Sequence, residues 1–179
     1  MKLKLFIAVL ALQSAWILGT TLQQERLLSS GRVILLETAP VDPRDPLRGD
    51  FVRLNYQISD IAADKFQPAL TGDLRPGDVL YVALAEQGNG FWSVTRASRE
   101  MFDPGAGEVL LRGRSQWSWR STTNSTHHVE YGIEKYFVAE GTGNPRGKLT
   151  VQAAVSKTGM VRIKEVFLDG KPYSEAMKP

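Results

Sequence analysis

Hydrophobic and polar positions along the chain fall into two regimes. Residues 5–22, "LFIAVLALQSAWILGTTL", carry no charge and follow Lys2 and Lys4, a pattern that marks a membrane-directed helix. At about 1.5 Å per residue these positions reach about 27 Å, close to the roughly 30 Å hydrocarbon core. The stretch reads as a retained anchor. The competing reading, a cleaved secretory signal, lacks a clean pair of small residues at cleavage spacing, Gly19 and Thr21 being the nearest. Gln13 and Ser14 are polar but uncharged, so they do not prevent insertion.

Beyond residue 30 the pattern is that of strands. "GRVILLETA", residues 31–39, is a continuous apolar run ended by proline and predicts a strand buried on both faces. "DFVRLNY", residues 50–56, alternates, which puts Val52, Leu54 and Tyr56 on one face and Phe51, Arg53 and Asn55 on the other. A short helix is expected around Ile61–Phe66, ending before Pro68. Two β-runs flanking a glycine-rich turn in "RPGDVLYVALAEQGNGFWSVTRA" predict a hairpin. Further runs lie at 108–113, 115–120, 148–156 and 160–168, with turns at "DPGAG", "TGNPRG", "SKTG" and "LDGKPY".

The expected architecture is therefore mainly β. It has an N-terminal transmembrane helix and juxtamembrane segment over residues 1–28, then one compact β-barrel or sandwich-like domain over 29–179 with one or two short helices. Its core is expected to include Val33, Leu35, Val52, Leu54, Val79, Tyr81, Val151, Val161 and Ile163.

Composition narrows the chemistry. An apolar share of 42% over 179 residues can build a core. After residue 22 the chain holds 20 basic against 19 acidic residues, too even for a nucleic-acid face despite a pI of 9.2. The absence of cysteine removes disulfides, thiolate metal sites and a cysteine nucleophile. His127 and His128 are adjacent in a predicted strand, so they face opposite ways and make a poor metal pair. They read as structural or surface residues, with no G-x-S-x-G elbow to support a serine relay. "GTGNPRGK" fails as a phosphate loop: Gly147 stands six residues after Gly141 where five are needed, and Leu149 replaces the magnesium-binding Ser or Thr. Trp117 and Trp119 share a strand face, where cross-strand packing is favoured over stacking on a ligand.

"PVDPRDPLRGD", residues 40–50, concentrates charge and constraint. Asp42, Asp45 and Asp50 could hold a hard cation, but Arg44 and Arg48 are interleaved with them, so a salt-bridged loop is favoured. Pro40, Pro43 and Pro46 disfavour helix, and Gly49 permits a tight turn in which Asp50 accepts amide hydrogen bonds. The segment reads as a rigid joint. In "YGIEKYFVAEG", residues 131–141, a helix would gather Ile133, Tyr136 and Phe137 on one face and hold Glu134 well apart from Glu140.

"GDFVRLNY" resembles the signature of the bacterial GDYXXLXY family, with Phe51 in place of the usual tyrosine, and "YGIEKYFVAEGTG" resembles that family's second block. The likeness extends through "PVDPRDPLRGD" and "GDVLYVAL" to the late β-runs. It implies one N-terminal span in the inner membrane, a small domain in the periplasm and a polytopic membrane-protein partner. It implies no assigned reaction and no cofactor. The signature positions carried over are Gly49, Asp50, Leu54, Tyr56, Tyr131, Gly132, Glu134 and Glu140. Asp42, Arg44, Asp45, Arg48, Gly49, Asp50, Tyr56, Tyr131, Glu134 and Glu140 are the candidate signature or binding residues; no catalytic or metal residue is assigned. The layout also resembles signal-peptidase-type serine proteases, which implies a hydrolase alternative using carboxylates of the two blocks. No serine lies between Thr38 and Gly49, where that enzyme carries its nucleophile. An accessory or binding domain is the preferred reading.

Overall fold

The computed structural model describes residues 2–39, 51–70, 72–116, 126–138 and 147–176. Helix α1, Lys2–Ser30, contains the uncharged stretch. The hydroxyls of Thr20 and Thr21 donate back to the Ile17 carbonyl at 2.9 Å each, so their polarity is absorbed within the helix. The apolar window of α1 is not buried in the body; Leu27, near the C-terminal end, is its one fully buried side chain among the described residues. Gly31 ends the helix, its amide donating to Leu27 O at 2.9 Å, and strand β1, Arg32–Ala39, follows directly.

Two five-stranded sheets build the body. The remaining strands are β2 (Phe51–Arg53), β3 (Asn55–Tyr56), β4 (Asp60–Ala62), β5 (Val79–Glu86), β6 (Trp92–Ser98) and β7 (Val109–Ser115), followed by β8 (Thr126–Glu130), β9 (Lys135–Phe137), β10 (Leu149–Val155), β11 (Val161–Leu168) and β12 (Lys171–Pro172). One sheet runs β12-β11-β10-β1-β3 and the other β4-β8-β7-β5-β6, with β2 and β9 forming a separate pair. All pairings between these strands are antiparallel. Leu54 joins β2 to β3, and residues 131–134 join β8 to β9, so the β2–β9 pair ties the two sheets together along one side. The result is a nearly closed, barrel-like β fold, with a short helix α2 at Tyr173–Ala176.

The fold class and the 79–98 hairpin match expectation. Within 50–56, Val52, Leu54 and Tyr56 are buried and Arg53 and Asn55 exposed, as the alternation predicts. Three expectations are corrected. First, β1 buries one face: Ile34, Leu36 and Thr38 point inward, while Val33 is 41% exposed and Leu35 half-buried. A continuous apolar run carries no phase of its own. Here pairing sets it, Thr38 lying opposite Tyr56 and its hydroxyl donating to Leu149 O at 2.7 Å. In β5, likewise, Leu80, Val82 and Leu84 fill the core and Val79 and Tyr81 are half-buried. In β11 a register shift opposite Gln152 and Ala153 changes the phase, so Val161 and Val166 are buried but Ile163 is half-buried. Val151 is buried as expected.

Second, the helix expected at 61–66 is absent; Ile61 lies in β4, and only Ala63–Lys65 make a single 3-10 turn. Third, residues 135–137 are extended rather than helical. Tyr136 is half-buried and Phe137 is 78% exposed, so they do not share the apolar face a helix would give them. Part of the 115–120 run, with Trp117 and Trp119, lies outside the described residues.

Candidate functional site

Two segments 75 positions apart, Tyr56–Ile58 and Tyr131–Ile133, are laced together through their own main chains. The β2–β9 ladder starts the contact, with Phe51 opposite Phe137, Val52 opposite Tyr136 and Arg53 opposite Lys135. Leu54 N–H continues it by donating to Glu134 O at 2.8 Å. Tyr56 then donates its phenol to Ile133 O at 2.8 Å, and Tyr131 donates its phenol to Ile58 O at 2.8 Å.

Both phenols are buried hydrogen-bond donors. Burial pushes each far above the ordinary phenol range, and the nearby Glu134 charge adds to the effect. They therefore stay protonated, which the carbonyl acceptors require. A net gain of about 0.5 to 1.5 kcal/mol is usual for such a bond, while a buried acceptor left without its donor costs more, about 1 to 3 kcal/mol.

Glu134 holds the turn between β8 and β9. One carboxylate oxygen accepts Tyr131 N–H at 2.5 Å and the other accepts Gly132 N–H at 2.9 Å. Gly132 has φ +82°, a left-handed conformation that favours glycine. Reaching back to two amides is the behaviour of a turn-stabilising carboxylate.

Outside this clamp, the Phe51 and Phe137 rings meet at 6.3 Å, and Lys135 Nζ lies 5.4 Å from the Phe51 ring centre. Phe51, where the family signature has tyrosine, thus contributes ring packing.

Of the candidate residues, the structure brings Tyr56, Tyr131 and Glu134 together. Asp42, Arg44, Asp45, Arg48, Gly49, Asp50 and Glu140 lie outside the described residues. His127 and His128 diverge: His127 sits edge-on to Phe66 at 5.3 Å, and His128 Nδ1 meets Asp60 Oδ1 at 2.7 Å. Burial holds His127 below the ordinary imidazole range, with Asp73 opposing the shift and Arg99 reinforcing it. Among the described residues, no group of three or more His, Asp or Glu is placed to hold a metal ion.

Residues 13–166 match the family model described as GDYXXLXY protein. The chain belongs to the GDYXXLXY family. No curated protein and no solved structure matches it. Two letters of the family signature acquire a physical meaning here: Leu54 and Tyr56 are inward positions, while of the three unrestricted positions Arg53 and Asn55 are exposed and Val52 is buried. Sequence reasoning did not find Ile58 and Ile133, because they contribute main-chain oxygens that leave no side-chain signal. It also missed the Glu37–Lys148 ion pair beside the sheet; Lys148 also lies 5.4 Å from the Phe91 ring.

Proposed function

We propose that this protein is a single-pass accessory protein of the bacterial inner membrane, whose β body lies in the periplasm and binds a polytopic membrane-protein partner. The observation carrying this reading is α1, whose apolar window contributes nothing to the core of the body yet is long and apolar enough to span a bilayer. Lys2 and Lys4 before the uncharged stretch favour a cytoplasmic N-terminus and an exported body. The exposed Phe137 beside Phe51 and Lys135 supplies an aromatic, cationic contact patch at the ladder formed by the family blocks.

The engagement of Glu134 supports binding over hydrolysis, since each of its oxygens accepts a main-chain amide of its own turn, as a structural carboxylate does. The phenols of Tyr56 and Tyr131 are committed in the same way.

The test combines topology with capture. Alkaline extraction of membranes should leave the full chain in the pellet, with its N-terminal stretch intact on sequencing. External protease should reach the body only after the outer membrane is opened. A photo-crosslinking amino acid at Phe137 should trap a polytopic membrane protein, whereas one at exposed Lys164 in β11, outside the ladder, should trap less. Release of a soluble chain beginning near residue 20, or equal crosslinking from unrelated exposed positions, would overturn the reading.

A further inference from the structure

The foot of α1 and the neighbouring strands border a half-open cavity of about 720 Å³, within the roughly 300–1,000 Å³ of sites that hold small molecules. Gln23, Arg26, Leu27 and Ser30 line it from the helix, a spacing that puts all four on one face. Leu27, Val109, Leu110 and Met160 supply apolar walls, and Arg26 and Lys157 supply positive charge.

The charges in and around the cavity are unevenly committed. Arg32 donates to Gly107 O at 3.1 Å and Glu108 O at 3.2 Å, and lies 4.9 Å from the Trp92 ring centre. Glu108 accepts Thr95 Oγ1 and Gly105 N–H, each at 2.7 Å, with Arg96 at 3.8 Å. Arg26 and Lys157 are exposed and form no ion pair among the described residues. The cavity therefore offers two uncommitted cations beside an apolar wall.

Its place at the foot of the apolar helix bears on the occupant. The apolar stretch ends at Leu22, with Glu25 the first charged residue after it, and Gln23 to Ser30 rise about 10 Å along the helix. The polar layer of one leaflet is roughly 5 to 8 Å thick, so with α1 in the bilayer Gln23, Arg26 and Leu27 fall within headgroup depth and Ser30 stands just outside it. An apolar wall with cations at that level complements a lipid that has an anionic phosphate above its acyl chains.

We infer that this cavity binds one anionic phospholipid, its phosphate held by Arg26 and Lys157 and its upper acyl chain laid against Leu27, Val109, Leu110 and Met160. The bound lipid would fix the body against the membrane at the foot of its own anchor. The inference rests on α1 residing in the membrane, which alkaline extraction tests separately.

The experiment uses the full chain purified in a neutral detergent, titrated with phosphatidylglycerol or phosphatidylcholine, with bound lipid counted by native mass spectrometry. One phosphatidylglycerol should bind, preferred over phosphatidylcholine by roughly 10- to 30-fold, as two interfacial cations would give. Arg26→Gln with Lys157→Gln should bring that preference close to unity, and Ser30→Trp, which fills the mouth, should remove binding of both lipids. Lys157→Glu, in an exposed turn, guards against misfolding of the helix variants and should by itself lower the preference at least fivefold. Equal binding of the two lipids, or a preference unchanged by Lys157→Glu, overturns the inference. So does a dimer that binds no lipid and dissociates in Ser30→Trp, because a second copy would then fill the cavity. A chain that resists alkaline extraction yet shows no lipid preference sinks the cavity assignment alone; a chain released by alkali sinks the anchor.

Discussion

Tyr56 and Tyr131 exchange hydrogen bonds: each phenol donates at 2.8 Å to the carbonyl two residues beyond the other, Tyr56 to Ile133 O and Tyr131 to Ile58 O. The first tyrosine closes one family block and the second opens the other. The two blocks are therefore halves of a single clamp that joins the sheets.

Removing either hydroxyl leaves a buried main-chain carbonyl without its donor. Tyr56→Phe and Tyr131→Phe should each cost about 1 to 3 kcal/mol. Both straps cross the same seam, so the double variant should depart from the sum of the singles. Denaturant unfolding of the full chain in detergent, followed by tryptophan fluorescence, measures all three. Losses that simply add would show that the straps act independently.

Glu134 separates a turn lock from a reacting carboxylate. Glu134→Ala frees both Tyr131 N–H and Gly132 N–H and should destabilise by about 2 to 4 kcal/mol, whereas Glu134→Gln, which keeps one acceptor, should lose about half as much. Thermal unfolding of the two variants gives the ranking. If Gln unfolds like wild type while an independently found activity disappears, the carboxylate acts in chemistry.

Two glycines should fail for different reasons. A Cβ at Gly31 would run into Leu27 O and come within 3.2 Å of both Ala154 Cβ and Val155 N, so Gly31→Ala must push the helix foot away from β10. At Gly132 there is open space but φ is +82°, so Gly132→Ala should cost only the left-handed penalty, about 1 to 2 kcal/mol. Hydrogen exchange discriminates them: Gly31→Ala should deprotect the amide of residue 31 and its neighbours in β10, and Gly132→Ala those around residue 131.

His127 should make stability fall on acidification. Its folded-state affinity for a proton lies below that of the unfolded chain, so the unfolded state binds more protons as pH drops. The contribution is fully present above the unfolded value of about 6.5 and is lost as pH falls through the lower folded value. His127→Gln should flatten the dependence of the unfolding temperature on pH in that window. A slope equal to wild type would place the titration elsewhere.

What could be read along the chain were features whose cause is local. The long N-terminal apolar helix follows from an uncharged stretch long enough to cross a bilayer, and the inward set Val52, Leu54 and Tyr56 follows from strict alternation. The hairpin of β5 and β6 follows from a glycine turn between two β-prone runs. Tertiary structure decided the rest. Val33-Ile34-Leu35-Leu36 is apolar at every position, so only pairing with β3 and β10 could choose Ile34 and Leu36 for the core. Residues 131–137 carry helix-compatible spacing but become a turn and a strand, because Phe51–Leu54 offers β9 a ladder and Glu134 locks the turn. The tyrosine exchange was invisible for a simpler reason: its acceptors are peptide carbonyls 77 and 73 positions away, and every residue has one of those. Periodicity records which side chains avoid water; which distant peptide groups they then meet is settled only when the sheets close.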